Sequence, residues 1–236
     1  MKKKKFILLG ILFILLILLV CFFVFRKEDD KLSDAEKFKE EYEAYNGMTT
    51  EDGYSYPVVS VDENNVMYYA TSEEVLKILK EGTGIIYFGT PSDPWSRNAV
   101  NVLLQASAST PVKRIYYLDL SKKYDVYEVE NGQVVKTKEG SDAYYEMVDL
   151  LQEYLSNYLV YDGKTTVDTG VKRIFMPFVV FVEDGKVIST RKGTTDSHIN
   201  KGNGYIELTA QEEEELFNYY VDKMTILSDA SCNEDC

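Results

Sequence analysis

The distribution of apolar and polar positions separates one segment from all the others. Residues 6–25 are apolar throughout except for Gly10, and they lie between Lys2–Lys5 on one side and Arg26 and Lys27 on the other. Twenty residues at helical rise cross a hydrocarbon core of about 30 Å. The Val20-Cys21-Phe22-Phe23 stretch offers no small-residue cleavage site, so the segment reads as an uncleaved signal-anchor, one transmembrane helix within residues 1–27. Cys21 is then an apolar residue within the span. The four lysines and the terminal amine place the N-terminus in the cytoplasm and the bulk of the chain outside, a single-pass arrangement in the cell membrane.

After Glu28 the apolar positions recur at shorter intervals. Ser33-Asp34-Ala35-Glu36 is a capping box. Ala35, Phe38, Tyr42 and Tyr45 then give one short amphipathic helix, stopped by Asn46-Gly47, in a stalk spanning residues 28–56, with its apolar face open to packing on the domain or to pairing with a second copy. The globular part begins at Pro57. Val58–Val61 and Val66–Tyr69 are short β-prone pieces around a polar turn, and Thr71-Ser72-Glu73-Glu74 caps a helix that Gly82 ends. Ile85–Phe88 is an apolar strand. Asp93 as N-cap and Pro94 at the first helical position then start a helix with Trp95, Ala99, Val102, Leu103 and Ala106 on one face. Lys113–Leu120 reads as the next strand. Further on, Ser141 caps a helix carrying Tyr144, Tyr145, Val148, Leu151, Leu155 and Leu159, with turns at residues 130–133 and 162–164. Ile174–Val182 is a buried strand run containing Pro177, and Asp184-Gly185 is a hairpin turn into Val187–Thr190. A glycine-rich loop covers residues 193–205. A third capping box, Thr209-Ala210-Gln211-Glu212, opens a helix with Phe217, Tyr220, Val221, Met224 and Leu227 on one face, and residues 228–236 form a polar tail.

The order is β-α-β-α-β, an insert with a helix, a β-hairpin and a last helix, which is an α/β chain with a mixed central sheet flanked by helices. Three stretches carry a resemblance: G-T-P-S-D-P-W-S-R-N from Gly89, M-P-F-V-V-F-V-E-D-G-K from Met176, and G-T-T-D-S from Gly193. On these, residues 57–227 resemble the thioredoxin superfamily, and most of all the bacterial thioredoxin-like proteins that carry C-P-W-C-R-N. The resemblance implies a thioredoxin-like fold with an insert before the strand that a cis-proline opens. It puts the two redox positions at Asp93 and Ser96. Thiol–disulfide exchange needs an attacking thiolate and a resolving thiol, so a chain with an acid and an alcohol there is redox-inactive at this site. Asp93 alone reads as an N-cap, worth about 1 kcal/mol, and Ser96 as a polar first-turn residue. The resemblance also makes the Met176–Pro177 bond cis. It leaves Trp95, Met176 and Pro177 as a peptide-binding groove that pairs with an extended backbone. Read without it, Pro177 is a strand-entry residue and Trp95 a packing residue.

Charge narrows the partners. The net charge is −13. Six of the 26 basic residues precede Glu28 and none of the 39 acidic ones do, so the exported part carries −19. Such a surface repels phosphates, which argues against nucleic acid and anionic lipid. Cys232 and Cys236 leave three readings open: a small structural disulfide, a mobile redox tail, or a weak metal site with Glu234 or Asp235. His198, the only histidine, lies in the glycine-rich loop with no triad motif around it. No cofactor or metal is expected. Two functions follow from these residues. One is a non-catalytic polypeptide-binding or transport-accessory protein, held in the bilayer by residues 6–25, whose partner is an extended polypeptide or a membrane-associated protein. The other is a thiol–disulfide oxidoreductase working through Cys232 and Cys236.

Overall fold

A computed structural model describes residues 32–232, so the expected membrane segment at residues 6–25 and Cys236 lie outside the described residues. Among those described, no helix is long and apolar enough to cross a membrane. In chain order the elements are α1 (Asp34–Glu43), β1 (Met67–Tyr69), α2 (Ser72–Glu81), β2 (Gly84–Phe88), α3 (Pro94–Ala108), β3 (Ile115–Leu118), β4 (Val126–Glu130), β5 (Gln133–Lys138), α4 (Asp142–Leu151), β6 (Ser156–Tyr161), β7 (Thr166–Arg173), β8 (Phe178–Glu183), β9 (Lys186–Lys192), α5 (Asp196–Ile199) and α6 (Ala210–Cys232).

Five strands form a mixed central sheet in the order β1-β3-β2-β8-β9. β1, β3 and β2 run parallel, while β8 lies antiparallel to β2 and β9 antiparallel to β8. Two of the three interior strands, β2 and β8, are almost wholly apolar because both of their faces are covered. Alternation then sorts their side chains between two cores. Ile85, Tyr87, Val179 and Phe181 join Phe38 and Tyr42 of α1, Val102 and Leu103 of α3, and Tyr220 and Met224 of α6. Ile86, Phe88, Val180 and Val182 face the other way, toward Val75 and Leu79 of α2 and Met147 and Leu151 of α4. The Thr71 capping box forms, with Glu74 N–H donating to the Thr71 hydroxyl and the Glu74 carboxylate accepting from the Thr71 N–H.

Four expectations change. First, α1 does not belong to a stalk that ends at Tyr56. The compact unit begins at Asp34, and Phe38 and Tyr42 are 0 % exposed. Phe38 stacks on Tyr42 at 4.3 Å and meets Tyr117 of β3 edge-on at 4.9 Å. Its spacing gave the helix, but two large aromatics on one face need a core, and the sheet supplies it. Second, Val58–Val61 is not a strand. Its backbone is satisfied by side chains instead: Asn46 takes both the N–H and the C=O of Val59, Asn101 takes Val58 C=O and Ser60 N–H, and Glu43 and Lys39 take Val61 N–H and C=O.

Third, the helix capped by Ser141 ends at Leu151, and Leu155 and Leu159 do not continue it. A 3₁₀ turn over Gln152–Tyr154 breaks the register, and Leu155 is already extended. The run Ser156–Tyr161, rich in aromatic and branched residues, pairs with β7 as a hairpin. β4 and β5 form a second hairpin, with left-handed Asn131 and Gly132 at its turn. Tyr127 of β4 meets Tyr158 of β6 edge-on at 5.7 Å, and Arg173 stacks between the rings of Tyr124 and Tyr158 at 4.0 and 4.1 Å. Fourth, the last helix does not stop at Leu227. No glycine or proline follows Leu227, so α6 continues to Cys232.

Truncating the aromatic anchor of α1 tests its place in the core. Phe38→Ala is expected to lower the unfolding free energy by about 3–5 kcal/mol, read by urea denaturation. A stalk helix would show almost no change.

Candidate functional site

The sequence stretch that carried the resemblance folds as a strand, a turn and a helix. β2 ends at Phe88, and Gly89-Thr90-Pro91-Ser92 turns the chain into α3. A Cβ on Gly89 would collide with the ring of Tyr87, so glycine lets that tyrosine lie under the turn. There Tyr87 Oη sits 3.1 Å from Tyr42 Oη and donates to the Ser96 carbonyl at 3.1 Å. Burial, with the nearby Asp93 charge, pushes the Tyr87 hydroxyl far above its usual range, so it stays protonated and acts as a donor.

Asp93 is the N-cap of α3 and Pro94 opens the helix. Asp93 Oδ2 accepts from the Ser96 N–H at 2.7 Å and from the Ser96 hydroxyl at 2.6 Å. The Ser96 oxygen in turn accepts from Thr90 N–H at 3.4 Å. The acid and the alcohol therefore satisfy each other. Burial raises the Asp93 carboxyl above its usual value, and the bonds from Ser96 only partly offset it. Ser96 is fully buried, and its hydroxyl is spent on the bond to Asp93. The single histidine is committed elsewhere. His198 Nε2 donates to the Ile206 carbonyl at 2.7 Å, and Nδ1 lies 2.6 Å from the Thr194 hydroxyl.

The Met176–Pro177 peptide bond is cis. Register pairs Phe88 with Phe178, so Gly89 and Thr90 leave the sheet beside that bond, a few residues before Asp93. Pro177 is buried, and its carbonyl accepts from Gly193 N–H at 2.8 Å. Met176 is partly buried and packs against the core on the α2 side. Trp95, also partly buried, lies edge-on to His198 at 5.0 Å. Its indole rests on Gly204, where a Cβ would come within 2.7 Å of the indole nitrogen. Asn98 fastens the same loop, donating to the Gly204 and Ile206 carbonyls at 2.8 and 3.1 Å. The loop over residues 193–205 is thus built by its threonines, the short helix α5 and His198, and it packs on the first turn of α3. Cys232 closes α6, while Cys236, its expected partner, lies outside the described residues. Among the residues described, no group of three or more His, Cys, Asp or Glu is placed to hold a metal ion.

The residue that fixes this region was not singled out by its sequence context. Arg97, one turn into α3, is 0 % exposed. Its Nε donates to the Pro57 carbonyl at 2.8 Å, Nη1 to the Tyr42 and Pro91 carbonyls at 2.5 and 3.1 Å, and Nη2 to Asn46 Oδ1 at 2.6 Å. Tyr45 and Tyr56 sit near its plane, with ring centroids 5.7 and 5.9 Å away. Burial lowers its pKa from the usual guanidinium value, yet a group that ionises above pH 12 keeps its charge. One signal was available: Arg97 is the one charged residue in Pro94–Ala108.

No protein-family model matches the chain, and no curated protein matches it.

Arg97→Met takes the guanidinium away from the Tyr42, Pro57 and Pro91 carbonyls and from Asn46 Oδ1, which keeps the Val59 N–H, and is expected to cost at least about 3 kcal/mol in unfolding free energy. Arg97→Lys does not restore it, because one ammonium cannot reach the planar set of acceptors. The raised carboxyl of Asp93 gives a pH signature. Its neutral form is favoured in the folded chain, so that contribution is complete below about pH 3.9, the unfolded value, and is lost as pH rises through the folded value. Asp93→Asn keeps a capping oxygen without a charge. Wild-type stability, measured by urea denaturation, is expected to fall relative to that variant between about pH 4 and 7. A constant difference would mean that Asp93 titrates as an ordinary surface acid.

Proposed function

We propose that this chain is a thioredoxin-like protein that binds extended polypeptide without electron transfer. Residues 6–25 anchor it in the cell membrane, the domain lies outside, and its role is that of a polypeptide-binding or transport-accessory protein. The observation that carries the reading is the closed Asp93–Ser96 pair at the first turn of α3, where the resemblance places two thiols. The order of elements agrees with it: the mixed sheet has helices on both sides, and a hairpin and a last helix follow Pro177. Trp95 and Met176 stay partly exposed near that turn, which leaves them as walls for an extended chain. The cis Met176–Pro177 bond fits the same reading.

Restoring the thiols tests the scaffold. The full chain is expected to show no dithiothreitol-dependent reduction of insulin, while Asp93→Cys with Ser96→Cys gains it. A folded double variant that stays inactive overturns the thioredoxin reading. Wild-type turnover that disappears on Cys232→Ala overturns the non-catalytic one. A photoreactive residue in place of Met176 is expected to crosslink an unfolded test polypeptide, and failure to do so removes the groove.

A further inference from the structure

Beside the α3 turn lies a patch that the groove does not include. Met48, Tyr54, Val58 and Ile206 are 50, 48, 58 and 42 % exposed, and they are brought to one face by two segments of the chain. Within the first, Tyr56 N–H donates to the Met48 carbonyl and Thr50 N–H to the Tyr54 carbonyl, and Thr49 bridges Ser55. The second is tied to it by aromatic contact: Tyr54 stacks on Tyr205 at 5.2 Å with the rings 15° apart, and Tyr56 meets Tyr205 edge-on at 5.6 Å. Val58 N–H also donates to Glu207 Oε1 at 3.4 Å. Isolated surface apolar residues are ordinary, but a contiguous group marks an interaction surface. This one is held rigid from below, since Tyr56 lies over the buried Arg97 guanidinium, and the Ile206 carbonyl is bonded by both Asn98 and His198.

The rim is acidic. Glu51, Asp52 and Glu207 are exposed around the patch. Burial and Tyr56, with the charges of Asp93 and Asp52, hold the Tyr205 hydroxyl above its usual value. Neither residues 45–58 nor residues 202–208 contain a lysine or arginine. Apolar rings inside a ring of carboxylates complement a segment that mixes apolar side chains with cationic ones. Such a segment buries its apolar groups on Tyr54 and Val58, and its ammonium or guanidinium groups meet ring faces and acids.

We propose that this patch docks a basic, apolar segment of a polypeptide partner. The inference shares with the proposed function only the premise that the ligand is polypeptide, and it adds the chemistry of the segment and the surface that selects it. The test uses the full chain in nanodiscs of zwitterionic phosphatidylcholine, with empty nanodiscs as the blank. The probe is a fluorescent peptide of alternating leucine and lysine, and its counterpart replaces lysine by glutamate. The expected result is saturable binding of the lysine peptide that weakens with added salt, and none of the glutamate peptide. Tyr54→Ser with Val58→Ser, both exposed and checked for folding by circular dichroism, is expected to weaken binding about tenfold. Asp52→Lys is expected to weaken it less and to flatten the salt dependence. Absence of saturable binding, equal binding of the two peptides, or an unchanged affinity in the double variant overturns the inference. Crosslinking from position 176 separates the two readings. If it persists while the patch variants are silent, only the patch is lost; if it fails while the patch variants respond, only the groove is lost.

Discussion

A single buried cation determines how this domain closes. The Arg97 guanidinium bonds the end of α1 through Tyr42, the chain beyond α1 through Asn46 and Pro57, and the turn before α3 through Pro91. Its acceptors are neutral oxygens, with no carboxylate among those bonds. An ion in such a place loses its hydration and regains it only if each of its donors finds an oxygen with good geometry. The fork of the guanidinium makes that possible, and it fixes three separate backbone stretches at once. The position of α1 on the sheet, the extended course of residues 57–61 and the shape of the 89–93 turn are all conditions for the same group to be satisfied.

The site next to it shows how the chain's own side chains close a helix N-terminus. The free N–H groups of a first turn favour an acceptor, and Asp93 provides one. Its carboxylate is held in a space so enclosed that the proton is kept more readily than in water. The Ser96 hydroxyl closes the pair. Helix start, turn and Tyr87 are joined by donors and acceptors that are matched to one another, so the region is organised as a fixed surface.

Much of the central architecture was legible in the chain itself. β2, β8 and the caps at Thr71, Asp93 and Ser141 follow from local pattern, because a strand covered on both faces must be apolar and a helix start must find an acceptor. The insert was legible only in part. Leu155 and Leu159 fit a helical period by coincidence, and nothing local announces that the backbone becomes extended after Tyr154. Val58–Val61 looked like a strand because it is β-prone, but strand formation needs a backbone neighbour, and here asparagine and glutamate side chains take that place. For the site, Asp93 could be read as a helix cap from its place before Pro94, and the pairing of Asp93 with Ser96 was pointed to by the resemblance, whereas the roles of Arg97, Asn98 and His198 depend on partners 8 to 108 residues away. Distant pairing of that kind leaves no periodic trace.

The contact between Trp95 and Gly204 carries one more implication. The indole lies so close to the backbone that the only substituent tolerated there is a hydrogen atom. A methyl group would act as a wedge, lifting the loop from the helix and spoiling the alignment by which Asn98 grips the Gly204 and Ile206 carbonyls. Tyr205 and Ile206 would then lose the footing that keeps them beside Tyr54. The outer surface of this face is therefore set by the smallest side chain beneath it, and its contour depends on the absence of one carbon atom.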